Sequence, residues 1–224
     1  MRKLTVLLGV SFIALVTATS PATATSQFTC NGGYQFVTVG DLVVPPSGTC
    51  LISLSTVEGN VTVMKGGYIR ASATQIGGNV KGHDALRVYL DGATRVRGEV
   101  EVKGTNETTL VDSQFGDVRV QGTPNGGGDI HFFNNSIAGD VRLTHNAASM
   151  VVNLNTVGGD VQIEKNIGDL TAEANSVRNM DVSENSGIYA FVQQNKGQEL
   201  RCEGNDSLFT GGPNTFAHTE GQCF

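Results

Sequence analysis

The chain has 224 residues, of which 29 are glycine, 39% are hydrophobic, 16% are charged and 6% are aromatic. Its length fits one domain or at most two, and its hydrophobic content is too high for a wholly disordered chain. The formal net charge of −6 argues against a protein that binds nucleic acid by neutralising phosphates, and the apolar residues form no series of runs typical of a multi-pass membrane protein.

The first 24 residues have the three-part pattern of a secretory signal peptide. Two basic residues open the chain, an apolar run covers residues 4–16, and the Ala-Thr-Ala at residues 22–24 is a typical cleavage site. A membrane anchor is the alternative, but the apolar run is too short for one. We therefore predict a signal peptide at residues 1–24 and an exported domain at residues 25–224 with no integral membrane span, whose formal charge would be −8.

A repeat of about 20 residues runs through most of the remaining chain. The core of a copy reads Gly, then Asp, Asn or Glu, then an apolar, a polar and an apolar residue, as in the Gly-Asp-Val-Arg-Val at residues 116–120. The last two copies, at Asn179 and Glu199, are degenerate and lack the glycine. Nine copies follow one another at intervals of 18 to 23 residues, which is too regular for chance. The polar residues that follow the glycine position are Asp41, Asn60, Asn79, Glu99, Asp117, Asp140, Asp160, Asn179 and Glu199.

The pattern within each copy predicts the fold. Alternating apolar and polar residues are typical of a strand with one buried face, and a second apolar run follows about ten residues later, after a polar turn. Such a unit buries its apolar face only when it stacks on copies of itself. The sequence predicts an all-β fold, a single-stranded, right-handed parallel β-helix of about nine coils with two strands per coil and room for a third. The leucine-rich repeat consensus is missing, and propeller blades are about twice as long.

Two series of asparagines keep step with the repeat. An amide that recurs in every coil stacks on its own copies, and it can donate and accept hydrogen bonds along the solenoid. We predict structural turn ladders in preference to a polar binding stripe. The first series is Asn135, Asn155, Asn175 and Asn195, and the second is Asn146, Asn166, Asn185 and Asn205.

The four cysteines lie near the two ends of the repeat region. An even number of cysteines in an exported chain indicates disulfides, and four cysteines allow three pairings. Cys30 and Cys50 are 20 residues apart and Cys202 and Cys223 are 21 apart, which is one coil in each case. We predict bridges Cys30–Cys50 and Cys202–Cys223, each stabilising by about 3 kcal/mol. They would close an N-terminal cap with the first coil (30–50) and a C-terminal cap (200–224), and capped ends predict a monomer.

The end motifs carry a resemblance to a known group. Residues 43–50 read Val-Val-Pro-Pro-Ser-Gly-Thr-Cys, residues 200–205 read Leu-Arg-Cys-Glu-Gly-Asn, and residues 210–215 read Thr-Gly-Gly-Pro-Asn-Thr. With the Gly-Asp/Asn-Val body between them, residues 30–223 resemble uncharacterised secreted β-helix proteins of actinobacteria. The resemblance implies the fold and export, and it carries over no catalytic residues.

Charged side chains of the repeat give the strongest candidate site. Carboxylates on neighbouring coils would lie about 5 Å apart, the separation that a retaining glycosidase uses, and arginines two residues further on could help to bind Ca²⁺ and an acidic sugar. The alternative is a solvated face of mixed charge. An exposed aromatic pair could also stack on a sugar. The candidate binding residues are Glu99, Glu101, Asp117, Arg119, Asp140, Arg142, His131 and Phe133.

Other sequence features point away from cofactor chemistry. The four histidines fit no zinc spacing, and the sequence has no P-loop, dinucleotide-binding or nucleophile-elbow motif. We predict no cofactor, no metal and no catalytic residue. Ice-binding solenoids and bactofilin-like filaments are further alternatives; mixed surface charge disfavours the first, and export and capped ends disfavour the second.

These observations predict a secreted, extracellular β-helix module that binds or supports other molecules at the cell surface or outside the cell, without catalysis. By analogy of fold alone, polysaccharide or another envelope component is the expected ligand class. The alternative is a polysaccharide-acting lyase or hydrolase of the β-helix type.

Overall fold

A computed structural model describes residues 26–223, and every regular element in that range is a β-strand. The strands stack in parallel into three sheets that extend along a solenoid of about ten coils, one more than the nine repeats. The predicted all-β solenoid is therefore confirmed. Its right-handed sense remains a prediction, in line with the general rule for parallel crossovers. The predicted signal peptide at residues 1–24 lies outside the described residues.

The first sheet contains the strands that the Gly-Asp-Val repeat predicts. It has 11 strands, and each pairs in parallel with the strands of the coils before and after it. The strands are Phe28–Thr29, Leu42–Val44, Val61–Val63, Val80–His83, Val100–Lys103, Val118–Gln121, Val141–Thr144, Asp160–Glu164, Asn179–Ser183, Lys196–Glu203 and Thr215–Gly221.

The second sheet is formed by the second apolar run of each coil. It has 10 strands, again all parallel. The strands are Gly32–Gln35, Thr49–Ser53, Tyr68–Ser72, Arg87–Asp91, Glu107–Val111, Ile130–Phe133, Met150–Asn153, Leu170–Glu173, Tyr189–Gln193 and Leu208–Thr210.

The third sheet is narrow, with 7 strands of two residues each. It continues towards the C-terminal end as isolated bridges from Thr156 to Ser176 and from Ser176 to Lys196. Each coil thus has a triangular section with one side much shorter than the others. The strands are Thr38–Val39, Thr56–Val57, Gln75–Ile76, Arg95–Val96, Gln114–Phe115, Ser136–Ile137 and Thr156–Val157.

The inward side chains of the three sheets form one continuous core. Aliphatic residues such as Val120, Leu143 and Ile163 are fully buried in successive coils of the first sheet. Because successive side chains of a strand point to opposite faces, the residues between them face solvent. The outer faces of the sheets therefore carry the residues available for function.

Both predicted Asn ladders are confirmed, and both are buried. Asn155 Oδ1 accepts hydrogen bonds from the backbone N–H and the side-chain Nδ2 of Asn135, both at 3.0 Å. Asn155 Nδ2 in turn donates to Asn175 Oδ1 at 3.0 Å. Asn214 ends the first ladder and Gln222 ends the second, each accepting a backbone N–H of the preceding coil.

Disulfides join neighbouring coils at both ends, as predicted. The Cα atoms of Cys30 and Cys50 are 5.3 Å apart and those of Cys202 and Cys223 are 5.5 Å apart, within the usual range for a bridge. Residues 26–223 contain no helix that is long and apolar enough to cross a membrane.

Candidate functional site

The acidic column of the first sheet is a hydrogen-bonded ladder. Asp117 Oδ1 accepts the backbone N–H of Asp140 at 2.8 Å, and Asp140 Oδ1 accepts that of Asp160 at 2.9 Å. Asn60 and Asn79 do the same in earlier coils. One oxygen of each carboxylate therefore satisfies a backbone donor of the next coil. These acidic side chains fasten coils together, which explains the recurrence of Asp and Asn at this position.

The glycine of the repeat makes room for this ladder. A Cβ atom built on Gly139 would overlap Oδ1 of Asp117, and one on Gly159 would overlap Oδ1 of Asp140. A side chain in place of Gly139 or Gly159 would collide with the carboxylate of the preceding coil, so each of these glycines is matched to an aspartate one coil earlier. The last two copies have Arg178 and Gln198 at the glycine position. The Gly-Asp pattern is thus explained by packing between coils.

The structure brings five of the six charged candidates on this sheet together. Glu99, Asp117, Arg119, Asp140 and Arg142 line a shallow polar depression of about 190 Å³. The ion pairs across it are long, with Arg119 Nε 3.8 Å from Glu99 Oε1 and Arg142 Nη2 3.8 Å from Asp140 Oδ2. Within residues 26–223 no group of three or more His, Cys, Asp or Glu side chains has a geometry that could hold a metal ion.

The sixth candidate, Glu101, lies beside the depression and pairs with Lys81 at 3.6 Å. One coil beyond the depression, Asp160 accepts hydrogen bonds from Arg178 Nε at 2.9 Å and Nη2 at 3.0 Å. The hydrogen bonds and charge of Arg178 hold the pKa of Asp160 below its ordinary value of 3.8, against the opposing effect of burial. Asp160 therefore stays ionised and is unsuited to act as a general acid.

His131 and Phe133 lie on a different sheet from the acidic column. Both face outward from the second sheet, next to Val151 and Asn153 of the following coil as the repeat predicts. Their rings are 6.3 Å apart in an edge arrangement. The two groups of candidate residues therefore do not form one site.

A second group of outward side chains lies on the second sheet, nearer the N-terminal end. Tyr68 and Arg70 project from one strand, and Arg87 and Tyr89 project from the next, with Tyr68 opposite Arg87 and Arg70 opposite Tyr89. Arg70 Cζ lies 5.0 Å from the centre of the Tyr89 ring, and Arg87 Cζ lies 5.6 Å from that of Tyr68. Both are cation–π distances. We call these four side chains the Tyr–Arg face.

Each arginine of the Tyr–Arg face is also held by a carboxylate. Arg70 Nη2 donates to Asp91 Oδ2 at 2.7 Å, and Arg87 Nη2 forms an ion pair with Glu107. The hydrogen bond to Asp91 raises the pKa of Arg70 further above its ordinary value, so the guanidinium stays charged. A guanidinium has five N–H donors, so each arginine keeps donors for a ligand.

Two members of the Tyr–Arg face, Tyr68 and Arg70, line one side of a groove of about 840 Å³. Leu51 and Tyr68 supply apolar surface, and the hydroxyl groups of Ser53 and Ser72 lie along one edge. The groove is open at its N-terminal end beside Gly33, where a Cβ atom would meet nothing within 4 Å. The groove thus combines an apolar floor with a polar edge, as ligand sites commonly do.

A glycine-rich loop at residues 121–129 borders the same face from the other side. Gly126, Gly127 and Gly128 line a hollow of about 380 Å³ together with Tyr68, Leu86, Arg87, Asn106 and Glu107. A Cβ atom on Gly128 would lie 2.6 Å from Glu107 Oε2, so the loop packs closely against this carboxylate. The loop therefore forms a rim of the Tyr–Arg face.

The sequence interpretation did not find the Tyr–Arg face. Its signal is present: Tyr68 and Arg87 are 19 residues apart, and so are Arg70 and Tyr89. Alignment of the second strand of each coil by its buried residues would have placed all four side chains outward. The repeat is recognised by the Gly-Asp-Val of the first sheet. Because the turn between the first-sheet strand and the second-sheet strand varies in length, this alignment does not fix the register of the second sheet.

Neither the family models nor the curated proteins nor the solved structures contain a match to this chain. The structure shows a β-solenoid with two disulfides, and the comparisons add no evidence for the group that the end motifs resemble. Function must therefore be argued from the geometry of this chain.

Proposed function

We propose that this protein is an exported, non-enzymatic β-solenoid that binds extracellular or cell-surface polysaccharide through the Tyr–Arg face. One observation carries the proposal. Two tyrosine rings and two anchored guanidinium groups alternate on a flat sheet beside a groove of about 840 Å³. Aromatic rings offer apolar surface to the C–H faces of a sugar, and guanidinium N–H groups donate to its hydroxyls.

The order built into the face favours a binding role. Each arginine is fixed by a ring and a carboxylate, and each strand is fixed by the coils on both sides. A ligand would therefore meet side chains that lose little conformational entropy on binding. This is the design expected of a module that recognises a repeating polymer.

Export is part of the proposal. Residues 1–24 have the composition of a signal peptide, and disulfides persist mainly in oxidising compartments. An extracellular location would bring the groove into contact with wall, capsule or matrix polysaccharides. We propose that the protein acts there without an associated nucleic acid and as a monomer.

Polysaccharide cleavage is the alternative, and the geometry favours it less. A glycosidase needs a carboxylic acid and a carboxylate on either side of the bond that breaks. In the acidic column of the first sheet, Asp117 and Asp140 each use one carboxylate oxygen as a backbone acceptor, and Asp91 and Glu107 beside the groove are paired with arginines.

A glycan-array measurement on the exported protein tests the proposal. The double variant Tyr68→Ala/Tyr89→Ala should bind glycan with an affinity at least tenfold lower than that of the wild type. This corresponds to a loss of about 1.4 kcal/mol in binding free energy. Tyr189→Ala is the matched control, because Tyr189 is also an outward tyrosine of the second sheet but lies near the C-terminal end. Its affinity should equal that of the wild type.

The same samples, with and without Ca²⁺, should be analysed by mass spectrometry for shortened glycans. Intact glycans support a binding module. Cleaved glycans that disappear with Asp117→Ala or Asp140→Ala would establish the enzyme alternative and place it in the acidic column. Absence of binding to every glycan would overturn the proposal.

A further inference from the structure

The charges of the Tyr–Arg face are balanced within the face itself. Arg70 pairs with Asp91 and Arg87 with Glu107, so two positive and two negative groups occupy a small area. The carboxylates lie deeper than the arginines, since the side chains of Asp91 and Glu107 are 13% and 21% exposed and those of Arg70 and Arg87 are 51% and 42% exposed. The arginines therefore face solvent with their charge already compensated from below.

This balance of charge favours uncharged ligands over acidic ones. An anionic group that approached Arg70 or Arg87 would also approach Asp91 or Glu107, and the attraction and repulsion would largely cancel. The formal net charge of the whole chain, −6, adds a long-range repulsion of polyanions. An uncharged hydroxyl meets no such opposition, because it accepts an N–H hydrogen bond without bringing charge.

The remaining surface of the groove has the same character. Ser53 and Ser72 supply hydroxyl groups at its edge, and Leu51 and Tyr68 supply apolar contact. Leu51, Arg70 and Tyr89 are register partners in three successive coils, so the surface extends along the solenoid axis. With coils about 4.8 Å apart, this column spans about 10 Å and continues past Gly33 at the open end.

We propose that the ligand is an uncharged polysaccharide that lies along the solenoid axis over Leu51, the Tyr–Arg face and the rim formed by Gly126, Gly127 and Gly128. This inference rests on the proposed function and adds the charge and orientation of the ligand. The ion pairs Arg70–Asp91 and Arg87–Glu107 disfavour the binding of uronate-rich and sulfated polymers. Removal of one carboxylate should therefore change the specificity of the groove.

The test compares four purified polymers: a neutral β-glucan, a neutral galactomannan, polygalacturonate and a sulfated galactan. The wild type should bind at least one neutral polymer, with affinity changing less than about twofold between about 0.05 and about 0.5 M NaCl, since uncharged ligands are not screened. It should bind neither anionic polymer.

The variant Glu107→Gln leaves Arg87 without its carboxylate and should gain binding to polygalacturonate that weakens at high salt. Glu173→Gln is the control, because Glu173 is an outward acidic residue of the same sheet far from the groove. It should keep the wild-type preference. Melting curves of both variants establish that they are folded.

Three outcomes are distinguishable. Neutral binding by the wild type and a gain of anionic binding by Glu107→Gln support the inference. Salt-sensitive binding of an anionic polymer by the wild type would overturn the inference while leaving polysaccharide binding intact. Failure to bind any polymer would overturn the inference together with the proposed function.

Discussion

At the scale of single residues, the Gly-Asp pair is a contact that joins one coil to the next. The glycine lies over the carboxylate of the preceding coil, and the carboxylate accepts the N–H of the residue that follows the glycine. The close packing of the glycine on the carboxylate and the hydrogen bond to that carboxylate therefore depend on each other across two coils. Neither residue can be replaced without affecting its partner.

Gly139→Ala should lower the free energy of unfolding by about 2 kcal/mol, because the new methyl group overlaps the Asp117 carboxylate and must displace it. In an Asp117→Ala background the same change should cost much less, since the overlapping atoms are gone. Gly33→Ala is the control, because a Cβ atom there meets no neighbour within 4 Å. Urea unfolding of the four variants and the wild type measures these differences, and equal costs of Gly139→Ala in both backgrounds would refute the coupling.

At the scale of elements, the corners that carry the Asn ladders combine backbone strain with a buried polar anchor. Leu154 and Ala174 have positive φ angles of 59° and 55°, a conformation that costs such residues about 1 kcal/mol or more. Each is followed directly by a ladder asparagine, Asn155 or Asn175, whose amide is hydrogen-bonded to the coils on both sides. The ladder thus holds the chain in a corner that the local sequence alone does not favour.

Asn155→Ala should destabilise the protein by about 3 kcal/mol. The change removes hydrogen bonds to Asn135 and Asn175 and leaves the N–H of Asn135 and the O of Phe132 buried without this partner. Asn125→Ala in the exposed loop is the control and should change stability by less than about 0.5 kcal/mol. Thermal unfolding measures both, and a loss of similar size in the control would contradict a ladder-specific effect.

The strands that could be predicted from the sequence are those in which apolar and polar residues alternate over several positions. Strands such as Val118–Gln121 alternate over several residues and follow a fixed glycine, so their faces could be assigned. The strands of the third sheet, such as Thr56–Val57, have two residues and show no alternation. The structure has one coil more than the nine repeats because the strands that begin at Phe28–Thr29 precede the first Gly-Asp copy.

The candidate site was less predictable than the fold. Aligned carboxylates suggested a cluster for chemistry, but the hydrogen bond from Asp140 N–H to Asp117 depends on the backbone direction in the next coil. Tyr68 and Arg87 could be matched only through the register of the second sheet, which turns of varying length obscure. Function was therefore harder to predict than architecture, because it depends on side chains from separate repeats.

At the scale of the whole molecule, the solenoid has no centre that stabilises all of it at once. Coils contact their neighbours, so stability is transmitted from coil to coil and the two end coils have a neighbour on one side. The disulfides lie at these ends, where a coil could otherwise separate from the stack. Their positions match the places where local unfolding would begin.

Loss of the C-terminal bridge in Cys202→Ser/Cys223→Ser should therefore destabilise the last coil by about 3 kcal/mol. Hydrogen exchange should become faster in Leu208–Thr210 and Thr215–Gly221 while Val141–Thr144 keeps its protection. The variant Cys30→Ser/Cys50→Ser serves as the mirror control and should show its fastest exchange at the opposite end. Uniform acceleration along the whole chain would show that the solenoid unfolds as one cooperative unit.

The contacts between adjacent coils also decide the order in which the protein can assemble. A hydrogen bond such as that from Asn155 to Asn175 joins residues 20 positions apart, so a coil needs little more than the next 20 residues to complete its bonds. Under the proposed export, a chain that leaves a translocation channel with its N-terminus first could therefore fold vectorially. Cys30 and Cys50 can be oxidised while most of the chain is still inside, and each finished coil then serves as a template for the next. The last described coil is fastened to the one before it when Cys223 forms its disulfide with Cys202.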